Sequence, residues 1–139
     1  MPKANSGLNG NVAWRAPGFA EQVAAVRESL LGFLEDARRD GKSVAAYGAA
    51  AKGNTLLNHC GVDRALVDYV VDASPHKQGR YLPGSRLPIH APGRLAETRP
   101  DYVLILPWNL RDEITAKMAV VRGWGGRFVV PVPRTEVLP

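Results

Sequence analysis

A chain of 139 residues, 45% hydrophobic and 22% charged, has the make-up of one self-supporting globular domain and not of a disordered or fibrous chain. Its net charge of +5 favours anionic ligands, but the 18 basic residues are scattered and aromatics reach only 7%, which argues against a nucleic-acid platform. One cysteine, Cys60, and three isolated histidines exclude an internal disulfide and offer no metal-binding spacing; without a signal peptide or a membrane-length apolar run, the expected compartment is the cytoplasm.

Residues 1–16 lack periodicity and read as a flexible tail, so residues 17–139 form the expected domain. From Phe19 to Arg39 the pattern is helical: Phe19, Val23, Val26, Leu30, Leu31, Leu34 and Ala37 recur at spacings of three and four. Gly41 is the stop. The period then changes. "SVAAYG" reads as a short apolar strand, "NTLLNHCG" as a helix closed by Gly61, and "ALVDYVVD" as a second strand ending on Asp72. A polar loop, "SPHKQGRYLPGSR", leads to a short strand in "LPIHAP" and a helical turn or two in "PGRLAET". "DYVLILPW" is the strongest strand, "NLRDEITAKMAVVRGWG" reads as one helix carrying Leu110, Ile114, Met118 and Val121 on a stripe, and "RFVVPVP" as a last strand. Strands that alternate with helices and are continuously apolar predict a parallel sheet covered on both faces. Right-handed crossovers make that a doubly wound, Rossmann-like α/β layer.

Three clusters carry candidate chemistry. The first is the loop Gly48, Ala49, Ala50, Ala51, Lys52, Gly53 and Asn54. Gly48 and Gly53 have the separation of a P-loop, but Lys52 precedes the second glycine, so it cannot act as a Walker lysine, and NTP hydrolysis is not expected. Against a dinucleotide fingerprint, Ala50 stands where a glycine lets pyrophosphate approach, while Asp72, 24 residues after Gly48, is near the ribose-binding offset. A small-residue turn opening a helix still aims free N–H groups and the helix dipole at one spot, and Lys52 adds a full charge. The alternative is a tight turn whose alanines only pack against the sheet. The second cluster follows the second strand: Asp72, His76, Lys77, Gln78, Arg80 and Arg86 in one long loop, against the alternative of a solvated basic loop. The third is Trp108, whose ring can stack on a base or sugar, with Asn109; the alternative is a core Trp108 and an Asn109 that only caps a helix. All three leave carboxyl ends of strands, the edge where open α/β sheets bind ligands. No catalytic triad, metal cluster or carboxylate pair has a spacing that demands catalysis.

Four blocks in order, "YGAAAKGNTLLN" (47–58), "YVVDASPHKQGRYLPGSRLPI" (69–89), "DYVLILPWNLRDEI" (101–114) and "WGGRFVVPVP" (124–133), resemble the C-terminal domain of the sugar C-methyltransferases. The resemblance covers residues 17–133 and implies several things. Such enzymes use S-adenosylmethionine to methylate a carbon of a nucleotide-diphosphate keto-sugar. Their longer chains carry a zinc-bearing segment and a central methyl-donor domain ahead of a Rossmann-like, nucleotide-sugar-binding C-terminal domain. Neither a glycine-rich methyl-donor loop nor a cysteine set is present here, so the expected role is substrate binding without S-adenosylmethionine or catalysis by this chain alone. The implied partners are a nucleotide-diphosphate sugar and a methyltransferase domain in cis or in trans. A non-catalytic interaction module and an independent nucleotide or coenzyme A binder are the competing readings.

Overall fold

The computed structural model of the protein describes residues 19–139, with side chains from Glu21 onward. The expected tail, residues 1–16, and the Phe19 side chain lie outside the described residues.

Helix α1 (Phe19–Arg39) has the bounds its periodicity predicts. Strand β1 (Val44–Tyr47) leads into α2 (Ala51–Cys60), then β2 (Val70–Val71), β3 (Ile89–His90), α3 (Arg94–Thr98) and β4 (Tyr102–Ile105). After a 3-10 turn at Trp108–Leu110 come α4 (Arg111–Lys117), a second 3-10 segment (Ala119–Trp124), β5 (Arg127–Val130) and β6 (Glu136–Val137). The sheet runs β3-β2-β1-β4-β5-β6, parallel throughout except for the antiparallel β5–β6 pair. The chain moves outward from β1 to β3, then returns to β4 on the other side of β1. That reversal makes the β1/β4 boundary a topological switch point. The doubly wound, mostly parallel, Rossmann-like α/β class expected from the sequence is the fold observed.

Alternation along each strand divides the core in two. Val44, Ala46, Val70, Leu104, Leu106 and Val129 face α1 and α2, where Leu30, Leu34 and Leu57 are fully buried. Ala45, Tyr47, Val71, Val103, Ile105 and Phe128 face α3 and α4, against Leu95, Ile114, Met118 and Val121. All four β1 residues are buried, as a strand covered on both faces requires.

Five details differ from the sequence reading. Helix α2 begins three residues earlier than expected, at Ala51. Strand β2 is shorter: Asp68 and Tyr69 bond β1 from its approach, Asp68 N–H to Val44 O at 2.9 Å and Ala46 N–H to Tyr69 O at 2.9 Å, but the residues before them form a turn. The helix expected over residues 109–125 breaks at Met118 into α4 and a 3-10 segment, because Val120, Val121, Gly123 and Gly125 are poor helix formers. Leu110, assigned to its buried stripe, is 42% exposed. Strand β6 was not foreseen. Among the described residues no helix is long and apolar enough to cross a membrane.

Candidate functional site at the carboxyl edge of the sheet

The loop from β1 to α2 is built around two close approaches. Gly48 has φ +97, and a Cβ there would lie 2.5 Å from Pro107 Cδ. Its left-handed backbone and the ring beside it both demand glycine. At Gly53 a Cβ would lie 2.6 Å from Leu106 Cβ, so α2 presses directly on the end of β4. The glycines therefore serve loop and helix packing, the close-packing role of the last glycine in a dinucleotide fold.

Helix α2 starts without a side-chain cap; Ala50, in the cap position, is extended at φ −91, ψ 159. The first helical bond is Asn54 N–H to Ala50 O, 3.0 Å, which leaves the N–H groups of Ala51, Lys52 and Gly53 ahead of it. Ala49 N–H is not free: it donates to Asp72 Oδ2 at 2.7 Å. Asn54 Oδ1 is buried with no partner among the described residues, so that side chain belongs to the interior of the turn.

Lys52 meets the third cluster. Its Nζ donates to Asn109 Oδ1 at 3.1 Å and lies 4.3 Å from the centroid of the Trp108 ring. Trp108 is half-buried, not core, and α4 has no side-chain cap, so Asn109 serves Lys52 and not the helix. Two of the three sequence clusters thus converge on one ammonium group at the mouth of α2.

The second cluster divides. Asp72 accepts from Ala49 N–H and, through Oδ1, from Ser74 N–H at 2.8 Å. Lys77 Nζ donates to Ala49 O at 3.1 Å and is 4.0 Å from the Asp72 carboxylate; Gln78 Nε2 donates to Asp72 O at 2.8 Å. These three brace the β1–α2 loop from below. His76 and Arg80 are exposed and have no side-chain partner among the described residues. Arg86, grouped with them by the sequence, is elsewhere: it precedes β3 and lines a cavity with Arg64 and Tyr81 at the amino end of the sheet.

Two cavities flank the start of α2. One, of about 320 Å³, occupies the switch point, between Gly48, Ala50, Asp72 and Pro107 on one side and Glu113, Ile114 and Lys117 of α4 on the other. The larger, of about 660 Å³, lies between α1 and α2 and is walled by Val23, Val26, Leu56, Trp108 and Val132, with Lys52, Thr55 and His59 from α2. Sequence reasoning missed this apolar cavity. Its signal was present, since Val23 and Val26 belong to the α1 stripe yet are only half-buried, whereas Leu30 and Leu34 lower on the stripe are fully buried. Among the described residues, no three His, Cys, Asp or Glu side chains group so as to hold a metal ion.

A mostly parallel, doubly wound sheet with the uncapped, lysine-bearing start of α2 at its carboxyl edge defines the class: a Rossmann-like α/β domain. Its shape is similar to that of UDP-D-quinovosamine 4-dehydrogenase from Vibrio fischeri, with a TM-score of 0.53, 14% identity, and coverage of 70% of this chain and 93% of that one. Residues 5–133 match the C-methyltransferase C-terminal domain family, and the chain belongs to that family. Among its relatives, the C-methyltransferase NovU of Streptomyces niveus is 40% identical over 120 residues, which span 86% of this chain and 29% of that protein. The chain thus corresponds to under a third of the length of this curated relative.

Proposed function

We propose that this domain is the substrate-holding part of a C-methyltransferase and binds a nucleotide-diphosphate keto-sugar at its carboxyl edge. The observation that carries the reading is Lys52, held by Asn109 over Trp108 beside the uncapped start of α2. The N–H groups of Ala51, Lys52 and Gly53 and the Lys52 ammonium converge on a pyrophosphate-sized anion. The adjoining apolar cavity, with the Trp108 face on its wall, takes the uncharged part of the ligand. Asp72, Lys77 and Gln78 hold the loop in register for this contact.

We assign S-adenosylmethionine to a different place. Its transferable methyl is carried by a sulfonium cation, and the donors here are Lys52, Lys77 and the positive end of α2. The methyl donor therefore belongs to a separate methyltransferase domain, in cis or in trans. This domain's part in the reaction is to hold and orient the sugar nucleotide.

An amide NMR titration of the 139-residue chain tests this. A thymidine-diphosphate sugar is expected to shift Gly48–Thr55 and Trp108–Asn109, whereas S-adenosylmethionine, ATP–Mg²⁺ and coenzyme A leave them in place. Lys52→Ala removes a charge-assisted contact and should weaken nucleotide-sugar binding about tenfold or more. Unchanged affinity in that variant would overturn the assignment. Silence with every small molecule would favour a protein-docking module instead.

A further inference from the structure

At the opposite, amino end of the sheet, Arg64, Tyr81 and Arg86 line a cavity of about 380 Å³. Arg64 comes from the turn joining α2 to β2; Tyr81 and Arg86 come from the arm that doubles back before β3. The arm is firmly built. Tyr81 bridges Pro88 in antiparallel fashion, Leu82 N–H donates to Leu87 O at 2.9 Å, and both leucines are buried. Asn58 of α2 anchors the arm through a bond from Nδ2 to Pro83 O, 3.1 Å. Within this frame Arg86 is held at φ +62, a left-handed conformation that favours glycine, with its N–H on Leu82 O at 2.9 Å. The arm thus fixes the backbone from which this guanidinium projects.

The charges are left open. Among the described residues neither Arg64 nor Arg86 has an ion pair or a side-chain hydrogen bond. The nearby carboxylates are engaged: Asp63 accepts from Ala65 N–H at 2.9 Å, and Asp68 pairs with Arg38 at 3.1 Å. Tyr81 is 61% exposed, the most exposed large hydrophobic side chain described. Two unpaired guanidinium forks recognise a phosphate oxygen edge, and a bare aromatic ring beside them recognises a planar ring. The volume is within the range of a small-molecule site, about 300–1,000 Å³.

We propose that this amino-edge cavity is a second ligand site, for a mononucleotide-sized anion whose phosphate lies on Arg64 and Arg86 and whose ring lies on Tyr81. The site shares no residue with the carboxyl edge and does not rest on the function proposed there.

The test is an amide NMR titration of the 139-residue chain with AMP, adenosine and inorganic phosphate. AMP is expected to shift Arg64 and the Tyr81–Leu87 arm. Arg64→Ala and Arg86→Gly should each weaken AMP about tenfold or more. Glycine accepts φ +62, so Arg86→Gly should keep or raise the thermal midpoint, which separates lost binding from lost folding. Tyr81→Ala should weaken AMP and leave inorganic phosphate as before. Three results would each overturn the proposal: no shift at millimolar AMP, shifts confined to Gly48–Thr55, or full affinity in Arg86→Gly. A response to an acidic peptide but not to AMP would also overturn it, and would assign the cavity to a protein partner.

Discussion

Asp72 shows how much one side chain can be asked to do. Each of its carboxylate oxygens accepts a different backbone N–H, from Ala49 at 2.7 Å and Ser74 at 2.8 Å, with the Lys77 ammonium 4.0 Å away. Hydrogen bonds to an ionised acceptor contribute roughly 1.5–3 kcal/mol, and removal of one partner leaves a donor unsatisfied. Asp72→Asn presents an NH₂ where one oxygen was, so one of the two N–H groups then faces another donor. The variant should lose about 1–3 kcal/mol of stability by urea unfolding. Amide exchange at Ala49 or Ser74 should quicken at the same time. Native protection at both amides would show that the carboxylate does not brace this loop. The sequence marked Asp72 correctly as an acid at the end of a strand, but not its donors. Ala49 is 23 residues away, and only the parallel pairing of β1 with β2 brings the two together. Lys52 and Asn109 are 57 residues apart and meet for the same kind of reason. The residue types of the carboxyl edge were legible because charge and small size are local properties. Which of them are left open and which face one another was not, because that is decided by non-local pairing. Arg86 makes the point most sharply: it shares a loop with His76 and Lys77, yet the arm before β3 carries it to the other end of the sheet.

Elements with a strong local period were read to the residue, and α1 is the case in point. Helix α2 was read short because Ala51 and its neighbours give no capping or charge signal at the start. Strand β6 was invisible, since two residues, Glu136 and Val137, become a strand only by pairing with Val130 and Val129. The packing of α2 on β4 can be tested against α1 with one substitution at two places. Glycine-to-alanine in a helix gains up to about 1 kcal/mol from propensity. At Gly32 of α1 a Cβ meets nothing within 4 Å, so Gly32→Ala should stabilise by about 0.5–1 kcal/mol. At Gly53 the added carbon lies 2.6 Å from Leu106 Cβ and 3.2 Å from its Cγ and Cδ1. Leu106 is fully buried at the end of β4, and its Cβ cannot swing away as the tip of a flexible side chain can. Overpacking of this kind costs about 1–3 kcal/mol, which exceeds the propensity gain, so Gly53→Ala should be net destabilising. Denaturant midpoints of the two variants should move in opposite directions. A shift to higher stability in both would mean that α2 does not bear on β4 as closely as the structure shows.

The molecule as a whole has a helical layer on each side of one sheet, and in each layer burial holds a titratable side chain in its neutral form, Cys60 in one and Tyr69 in the other. Cys60 belongs to the α1/α2 side; burial pushes its thiol above the ordinary 9.0, with Arg27 opposing. Tyr69 belongs to the α3/α4 side; burial raises its phenol above 10.0, partly offset by the bond to the Thr98 hydroxyl. In both cases the folded state holds the proton more tightly than the unfolded chain does. The stability this contributes is therefore complete below the unfolded pKa and is lost as pH rises through the folded one. Unfolding free energy should be insensitive to these two groups at neutral pH, then fall above about pH 9 as the Cys60 term fades and more steeply above about pH 10 as the Tyr69 term joins it. Cys60→Ala should remove the first part of the slope. Tyr69→Phe should remove the second, at a pH-independent cost of about 1 kcal/mol for the lost hydroxyl bond. The groups lie on opposite faces and share no partner, so in a single cooperative unit their effects should add, and the double variant should have the flattest alkaline limb. Urea midpoints measured from neutral to strongly alkaline pH decide the matter. If the parent and the double variant decline in parallel, the alkaline loss comes from other groups, and neither layer is sealed against ionisation in the way its packing implies.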